Sequence, residues 1–265
     1  MNSKNLKTLM KRGNFKDADA LCDQLRADQD SDHLKELQRQ IHDKLTTDAM
    51  PGPTYLDWLQ WFHAQMNPKS YIEIGVESGQ SLQFARGDTK AIGVDPEPKI
   101  VYGTNAWVQI FKAESDQFFA DNDPKKIFNG KIDLAFIDGL HYYEQALRDF
   151  INVEKSCCED SIILFHDVAP AVAATATREW NTTYWAGDTW KMMPILQKYR
   201  PDLKIATLSA YPTGLGVVTN LNPNSTVLED NFDSMIDEMK DTHFSSYKLA
   251  NLINNNFDRM IEHLK

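Results

Sequence analysis

Two short stretches of this chain gather groups that can move protons or hold a cation. One is Asp138-Gly-Leu-His141 and the other is His166-Asp167. Imidazole has an unperturbed pKa near neutrality, so His141 is the first candidate for a general base. Carboxylate oxygens suit hard divalent ions such as magnesium, while imidazole nitrogens also suit manganese, iron or zinc. The apolar run Ile162-Ile-Leu-Phe165 stops abruptly at His166-Asp167, which is unusual for a merely polar strand end. The competing role for His141 is structural, orienting a helix that starts near Tyr143. The other histidines (His33, His42, His63, His243, His263) lie in helical stretches that read as surface, and they receive no role.

A second group suits a nucleoside. Glu73-Ile-Gly75-Val-Glu77-Ser-Gly79-Gln-Ser81 is a glycine-bearing turn, and glycine lets the backbone bend sharply and approach a ligand without a Cβ. Asp95 follows about 20 residues after Gly75, where an acid accepts hydrogen bonds from ribose hydroxyls. Together they point to an adenosine-type ligand. The glycine spacing is G-x-x-x-G, not the dinucleotide G-x-G-x-x-G. Glu77 inside the turn would also repel a pyrophosphate. S-adenosylmethionine (SAM) has no phosphate and carries a sulfonium and an ammonium. The turn therefore favours SAM, and an NAD-dependent oxidoreductase fits it poorly.

These residues need elements to place them. Strands are expected at 70–75, 91–95, 107–111, 132–137 and 161–165, followed by a hairpin of two more at 203–208 and 215–219. Helices are expected through Leu82 and Phe84, around Gln117–Asp121, and over Tyr143–Lys155. Several strands are short, near-continuous apolar runs, the sign of a parallel sheet covered on both faces. Alternating strands and helices predict an α/β fold: a Rossmann-like, doubly wound, mostly parallel seven-stranded sheet. Ahead of it, Leu6/Leu9/Met10, Ala18/Leu21/Leu25 and Leu34/Leu37/Ile41/Leu45 mark helices, broken by Gly13-Asn14-Phe15. Lys11–Leu21 resembles the middle of one tetratricopeptide repeat, but a lone repeat buries no solenoid core, so a packed helical hairpin is the preferred reading. Pro51-Gly52-Pro53 ends this extension, and Tyr55, Trp58, Leu59 and Phe62 mark one more helix. The expected organisation is a helical extension at 1–50, a SAM-binding domain at 51–222 and a C-terminal helical segment at 223–265. In that last segment Phe232, Met235, Ile236 and Met239, then Leu249, Leu252, Ile253, Met260 and Ile261, fall at helical spacing.

Glu73-Ile-Gly-Val-Glu-Ser-Gly-Gln-Ser, Gly93-Val-Asp95, Phe136-Ile-Asp-Gly-Leu-His-Tyr-Tyr-Glu and Leu164-Phe-His-Asp-Val168, in this order, resemble the class I SAM-dependent methyltransferases. The nearest subgroup is the small O-methyltransferase-like family that acts on antibiotic sugars and catechol-type substrates. The match runs over about residues 54–220. The resemblance implies a cofactor site of Glu73, Gly75, Glu77, Gly79, Ser81, Asp95, Ser115 and Asp138. It implies metal ligands at Asp138 and Asp167, with His166 standing where metal-dependent relatives often carry a carboxylate. His141, His166 and Asp167 are the catalytic candidates. The activity implied is methylation of a small-molecule or sugar hydroxyl, with magnesium or another divalent metal assisting. Trp180, Trp185 and Trp190 could form a lid over the acceptor, since aromatic faces stack on rings. Two alternatives stay open: a SAM-binding module that serves a protein partner, and an iron-dependent hydroxylase-like enzyme on the same fold.

The totals narrow the classes further. The 265 residues carry 28 Lys and Arg against 38 Asp and Glu, a formal charge of −10. That balance lacks the basic footprint of a general nucleic-acid binder. Cys22, Cys157 and Cys158 form neither a disulfide framework nor a C-x-x-C pair. The N-terminal stretch has no signal-peptide pattern, and no run approaches the ~18 apolar residues of a membrane span. A cytoplasmic location is expected, with a small-molecule acceptor, no nucleic acid or membrane partner, and homodimerisation through the N-terminal helices.

Overall fold

The structure, a computed structural model, describes residues 3–180, 184–244 and 252–253. Seven strands form one sheet: β1 (Ser70–Ile74), β2 (Lys90–Asp95), β3 (Trp107–Lys112), β4 (Leu134–Ile137), β5 (Ile162–His166), β6 (Lys204–Leu208) and β7 (Leu215–Thr219). Their order is β3-β2-β1-β4-β5-β7-β6. Only the pairings of β7, with β5 and β6, are antiparallel. This is the expected mostly parallel, Rossmann-like sheet, closed by the expected hairpin. Ten helices accompany it among the described residues: α1 (Ser3–Lys11), α2 (Phe15–Asp28), α3 (Asp32–Ala49), α4 (Tyr55–Met66), α5 (Ser115–Asp121), α6 (Pro124–Phe128), α7 (Tyr143–Glu154), α8 (Met192–Tyr199), α9 (Val227–Asp230) and α10 (Phe232–Met239). None is long and apolar enough to cross a membrane.

Successive strand residues point to opposite faces. Ile72, Ile74, Ile137, Ile163 and Phe165 face Phe118, Leu147, Phe150, Met192 and Met235 from α5, α7, α8 and α10. Tyr71, Leu134, Phe136, Ile162 and Leu164 face Leu59 and Phe62 of α4 and Leu82. Both faces are covered, which is why the strands read as continuous apolar runs rather than alternating ones. Helix α4 begins with a capping box: Thr54 Oγ1 accepts from Asp57 N at 3.1 Å, and Asp57 Oδ2 accepts from Thr54 N at 2.8 Å. A cap of this kind fixes where the helix starts, and so holds Tyr55 at the rim of the sheet.

Helices α1–α3 bury a separate apolar cluster of Leu6, Ala18, Leu21, Cys22, Leu34, Leu37 and Ile41. Just beyond α3, Met50 leaves this cluster and packs with Ala169, Ala176, Trp190 and Leu252 beside β5.

Three expectations need correction. The helix expected through Leu82 and Phe84 is a single 3-10 turn, Leu82–Phe84, because the chain must restart at Lys90 and Gly87-Asp88 lies between. His42 and His63 are not surface residues. His42 is buried between α2 and α3 with its Nε2 2.8 Å from Asp19, and His63 is buried edge-on against Tyr71. In the C-terminal segment, α10 lies where Phe232–Met239 predicts it and Leu252 is buried. The helical spacing through Leu249, Met260 and Ile261 lies outside the described residues.

Candidate functional site

The connection after β1 leads to β2 on one side, and β4 pairs with β1 on the other. Doubly wound sheets bind ligands in the crevice outside the carboxyl ends of strands that diverge in this way. A cavity of about 680 Å³ opens there, within the roughly 300–1,000 Å³ of small-molecule sites. In strand order its wall carries Ser115 after β3, Asp95 at the end of β2, Gly75, Glu77 and Ser81 after β1, Asp138 and His141 after β4, and His166 and Asp167 at the end of β5.

At the β1 end, the turn depends on glycine where no side chain fits. Gly75 has φ +84°, and a Cβ there would stand 2.0 Å from the Asp138 carbonyl oxygen. Asp95 ties the turn down: its Oδ2 accepts from Val76 N at 3.0 Å and Glu77 N at 2.8 Å, and its Oδ1 accepts from Glu97 N at 2.7 Å. A carboxylate offers about four lone-pair sites, so capacity remains toward the cavity. Two of the expected cofactor residues do not reach the cavity wall. Gly79 turns the chain at φ +80° beneath Ile100. Glu73 is wholly buried behind the wall, accepting from Tyr71 Oη at 2.6 Å and Ser81 Oγ at 2.5 Å. The reason is strand parity: Glu73 points with Tyr71 into the α4 face, so it meets a ligand only through Ser81. Burial pushes its pKa up to about 8, against the two hydroxyl hydrogen bonds that lower it.

At the β4–β5 end the four expected groups converge. Asp138, His141 and Asp167 offer ligand atoms within 4.8 Å of one another. His166 Nδ1 lies 3.2 Å from Asp138 Oδ1 and 3.5 Å from Asp167 Oδ2. The outward nitrogen of each imidazole is committed. His141 Nδ1–H donates to the Trp185 carbonyl at 2.9 Å. Thr213 Oγ1 donates to Asp167 Oδ1 at 2.6 Å and therefore accepts from His166 Nε2–H at 3.2 Å. Both inward nitrogens, His141 Nε2 and His166 Nδ1, then present lone pairs to two carboxylates. Such a set is repulsive until a proton or a cation lies within it. Burial lowers both histidines, yet Asp167 and Asp138 outweigh it and raise His141 to about 9 and His166 to about 10. Asp138 is raised by burial but held below the usual carboxylate range by the His166 charge and the bonds from both histidines. Asp167 has φ +61°, a left-handed conformation rare outside glycine and typical of strained functional positions. Its Oδ2 is buried with no hydrogen bond of good geometry, although it faces His141 Nε2 at 3.1 Å.

Aromatic groups wall this end. Trp180, Tyr184 and Trp185 line the cavity, as expected of two of the three tryptophans, whereas Trp190 is buried in the cluster with Met50 and does not. The Tyr55 ring lies tilted against His166, with centroids 4.0 Å apart, and lines the cavity beside it. Neither Tyr55 nor Thr213 is marked in the sequence. Tyr55 has the spacing of a helix core residue, and Thr213 stands alone after Pro212. Gln145 is likewise unmarked, although its amide lies 3.0 Å from Ser115 Oγ and 2.9 Å from Asp116 Oδ1. The whole cavity is lined by six acids (Glu77, Asp95, Glu114, Asp116, Asp138, Asp167) and, among the described residues, by no Lys or Arg.

Residues 72–168 match the family model described as a methyltransferase domain. The matched stretch runs from β1 to just past β5, the strands whose carboxyl ends carry most of the cavity wall. Among solved structures it is similar to the O-methyltransferase TomG from Streptomyces achromogenes, involved in tomaymycin synthesis and solved with SAM. The TM-score is 0.50 at 13% identity, over 63% of this chain and 80% of that one. The cofactor-bound Rv0187 from MTB gives a TM-score of 0.50 at 13% identity, over 63% and 79%. At this identity the likeness is one of fold. No curated protein matches the chain in sequence.

Proposed function

We propose that the chain is a SAM-dependent O-methyltransferase of a small-molecule hydroxyl, with a sugar hydroxyl as first candidate. The observation that carries this reading is one continuous cavity joining the Gly75–Asp95–Ser115 wall to the Asp138–His141–His166–Asp167 cluster. The residues fit the donor. Gly75 leaves a cradle that a Cβ would fill, and a cavity lined by acids and, among the described residues, by no Lys or Arg suits a sulfonium and an ammonium but not a pyrophosphate. Bound SAM supplies an electrophilic methyl group on sulfur. The chain's part is to hold the acceptor oxygen in line and to take its proton. His141 Nε2, once unprotonated, receives that proton while its Nδ1–H stays on the Trp185 carbonyl; with its pKa raised to about 9, the fraction able to act as base grows as pH rises toward 9. Asp138 and Asp167 then stabilise the imidazolium, and the products are the methyl ether and S-adenosylhomocysteine.

The cluster also fits a divalent cation. Asp167 Oδ2 is orphaned, and two imidazoles aim lone pairs inward while donating their other N–H to fixed acceptors, the pattern that orients histidine ligands. Asp138, His141 and Asp167, whose ligand atoms lie within 4.8 Å of one another, would hold the ion, with the expected ligand His166 beside them, 3.2 Å from Asp138. Such an ion would lower the pKa of a coordinated hydroxyl. A second reading, an iron-dependent hydroxylase-like enzyme, is favoured by one observation: two imidazoles join the carboxylates, a donor set that suits iron better than magnesium.

Calorimetric titration with SAM, with and without magnesium, manganese or ferrous ion, tests these readings. Micromolar SAM binding, about −8 kcal/mol, is expected. Asp167→Asn is expected to weaken divalent binding by about tenfold or more while leaving SAM affinity nearly unchanged. No SAM binding under any condition would remove the methyltransferase reading. Tight ferrous binding without methyl transfer to any hydroxyl would favour the second reading.

A further inference from the structure

We propose that the connector from β5 to α8 is the holder of His141, with Trp185, Gly187 and Asp188 as positioning residues that decide which ring nitrogen faces the acceptor. The inference rests on His141 being the base of the proposed reaction. It adds that the wall an acceptor would press on and the support of the base are one piece of chain.

Trp185 grips the ring twice. Its carbonyl accepts the Nδ1–H at 2.9 Å, and its indole stacks on the imidazole with centroids 5.0 Å apart and planes 21° from parallel. The hydrogen bond selects the nitrogen and the stack fixes the ring plane. The indole is itself held, because its Nε1–H donates to the Thr177 carbonyl at 2.5 Å. Trp185 also lines the cavity, so a ring bound there rests on the residue that orients the base.

Gly187 sets the backbone approach. It has φ +56°, and a Cβ at this position would stand 1.8 Å from the His141 carbonyl oxygen. The obstacle is backbone rather than a flexible side-chain tip, so any side chain must drive the two segments apart. The next residue closes the contact, Asp188 N donating to the His141 carbonyl at 3.1 Å.

Asp188 then locks the loop to the helix. Tyr142, at the N-cap of α7, makes no side-chain cap bond. The missing acceptor comes from 45 residues away, where Asp188 Oδ1 accepts from Tyr143 N at 3.1 Å. A carboxylate is favourable there, since the first-turn amides and the helix dipole both attract negative charge. The carboxylate is almost fully buried and is compensated by Arg178 at 2.8 Å and Lys191 at 3.3 Å. Arg178 continues to Glu144 with contacts of 3.0 and 2.6 Å and lies over the Tyr142 ring at 4.3 Å. Every residue from His141 to Glu144 is thus held by the connector. A helix cap alone would not require the stacked indole or the missing Cβ, and both of those act on His141.

The test is histidine-ring 15N NMR on the full chain, reading exchange of the His141 Nδ1–H with solvent. His141→Gln assigns the signal. The readout is independent of whether Nε2 carries a proton. Wild type is expected to show a slowly exchanging ring N–H. Gly187→Ala should speed its exchange on the order of tenfold or more. Arg178→Ala removes one of the two cations facing the buried Asp188 carboxylate, and is expected to lower the melting temperature modestly, keep SAM affinity and speed exchange roughly threefold. Trp185→Phe keeps the backbone carbonyl and a stacking ring, and should retain the protected signal. Wild-type protection in both Gly187→Ala and Arg178→Ala would overturn the proposal, as would an unprotected N–H in wild type. Should Gly187→Ala fail to fold, Arg178→Ala decides alone. SAM titration of the same samples separates the two ideas, since absent SAM binding counts against the proposed function and leaves the N–H result to judge the holder.

Discussion

Glu73 is a carboxylate with no charged partner, wholly buried and bonded only to Tyr71 and Ser81 hydroxyls. Its pKa, raised to about 8 by burial, makes the folded state hold a proton that the unfolded chain releases near 4.5. Its contribution is therefore complete below about pH 4.5 and is lost as pH rises through 8, at up to about 1.4 kcal/mol per pH unit. His141 and His166 act in the same direction over a later window, complete below about 6.5 and lost through 9 to 10. The melting temperature is thus expected to fall from pH 6 to pH 10. Glu73→Gln should flatten the part of this fall between pH 5 and 8, and calorimetric melts across that range check it; an unchanged slope would show that Glu73 is ionised in the folded state. A divalent ion at the cluster must displace the histidine protons, so its stabilising effect should grow as pH rises from 7 to 10, measured as the shift in melting temperature with manganese.

The turn after β1 shows how an element can be read in outline and misread in detail. Its glycines and its acid mark a nucleoside turn in the bare sequence, and Gly75, Glu77, Ser81 and Asp95 do line the cavity. Glu73 and Gly79 carry the same motif and do not, because strand parity sends Glu73 behind the wall and the left-handed turn at Gly79 carries it beneath Ile100. The motif also hides that Asp95 holds the turn together through three backbone amides. Asp95→Ala is accordingly expected to disorder the turn as well as to remove a ribose acceptor. Gly75→Ala places a Cβ 2.0 Å from the Asp138 carbonyl and adds about 1–2 kcal/mol for left-handed backbone. It should reduce SAM affinity by about tenfold or more and shift Asp138 at the other end of the cavity. Calorimetry with SAM reads the first effect and manganese affinity the second; retention of both would mean that β1 and β4 can separate freely.

At the scale of the whole molecule, α1–α3 keep an apolar cluster of their own and touch the sheet domain mainly beyond Ala49, where Met50 packs near Trp190. We propose this helical unit as the surface for homodimer assembly, separate from ligand binding. Deleting residues 1–48 should alter oligomeric mass or solubility while SAM affinity stays within about threefold, because every described residue of the cavity lies between Tyr55 and Thr213. Sedimentation and calorimetry on the shortened chain check both halves, and lost SAM binding with unchanged mass would reverse the assignment.

Read alone, the chain specifies the sheet, because strands covered on both faces must be continuously apolar and their lengths and breaks lie in plain view. It also specifies which ionisable residues end β4 and β5, since an apolar run that stops at His166-Asp167 leaves little else for them to do. What it could not specify is which partners complete the site. Tyr55, Thr213, Gln145 and the Trp185 carbonyl come from α4, the stretch before β7, α7 and the β5–α8 connector, far apart along the chain and without motif. The tautomer of His141, the left-handed turn at Asp167 and the orphaned Oδ2 arise only when those segments pack together. Hydrogen-bond geometry and dielectric are properties of neighbours in space, and the tertiary structure alone decides who those neighbours are.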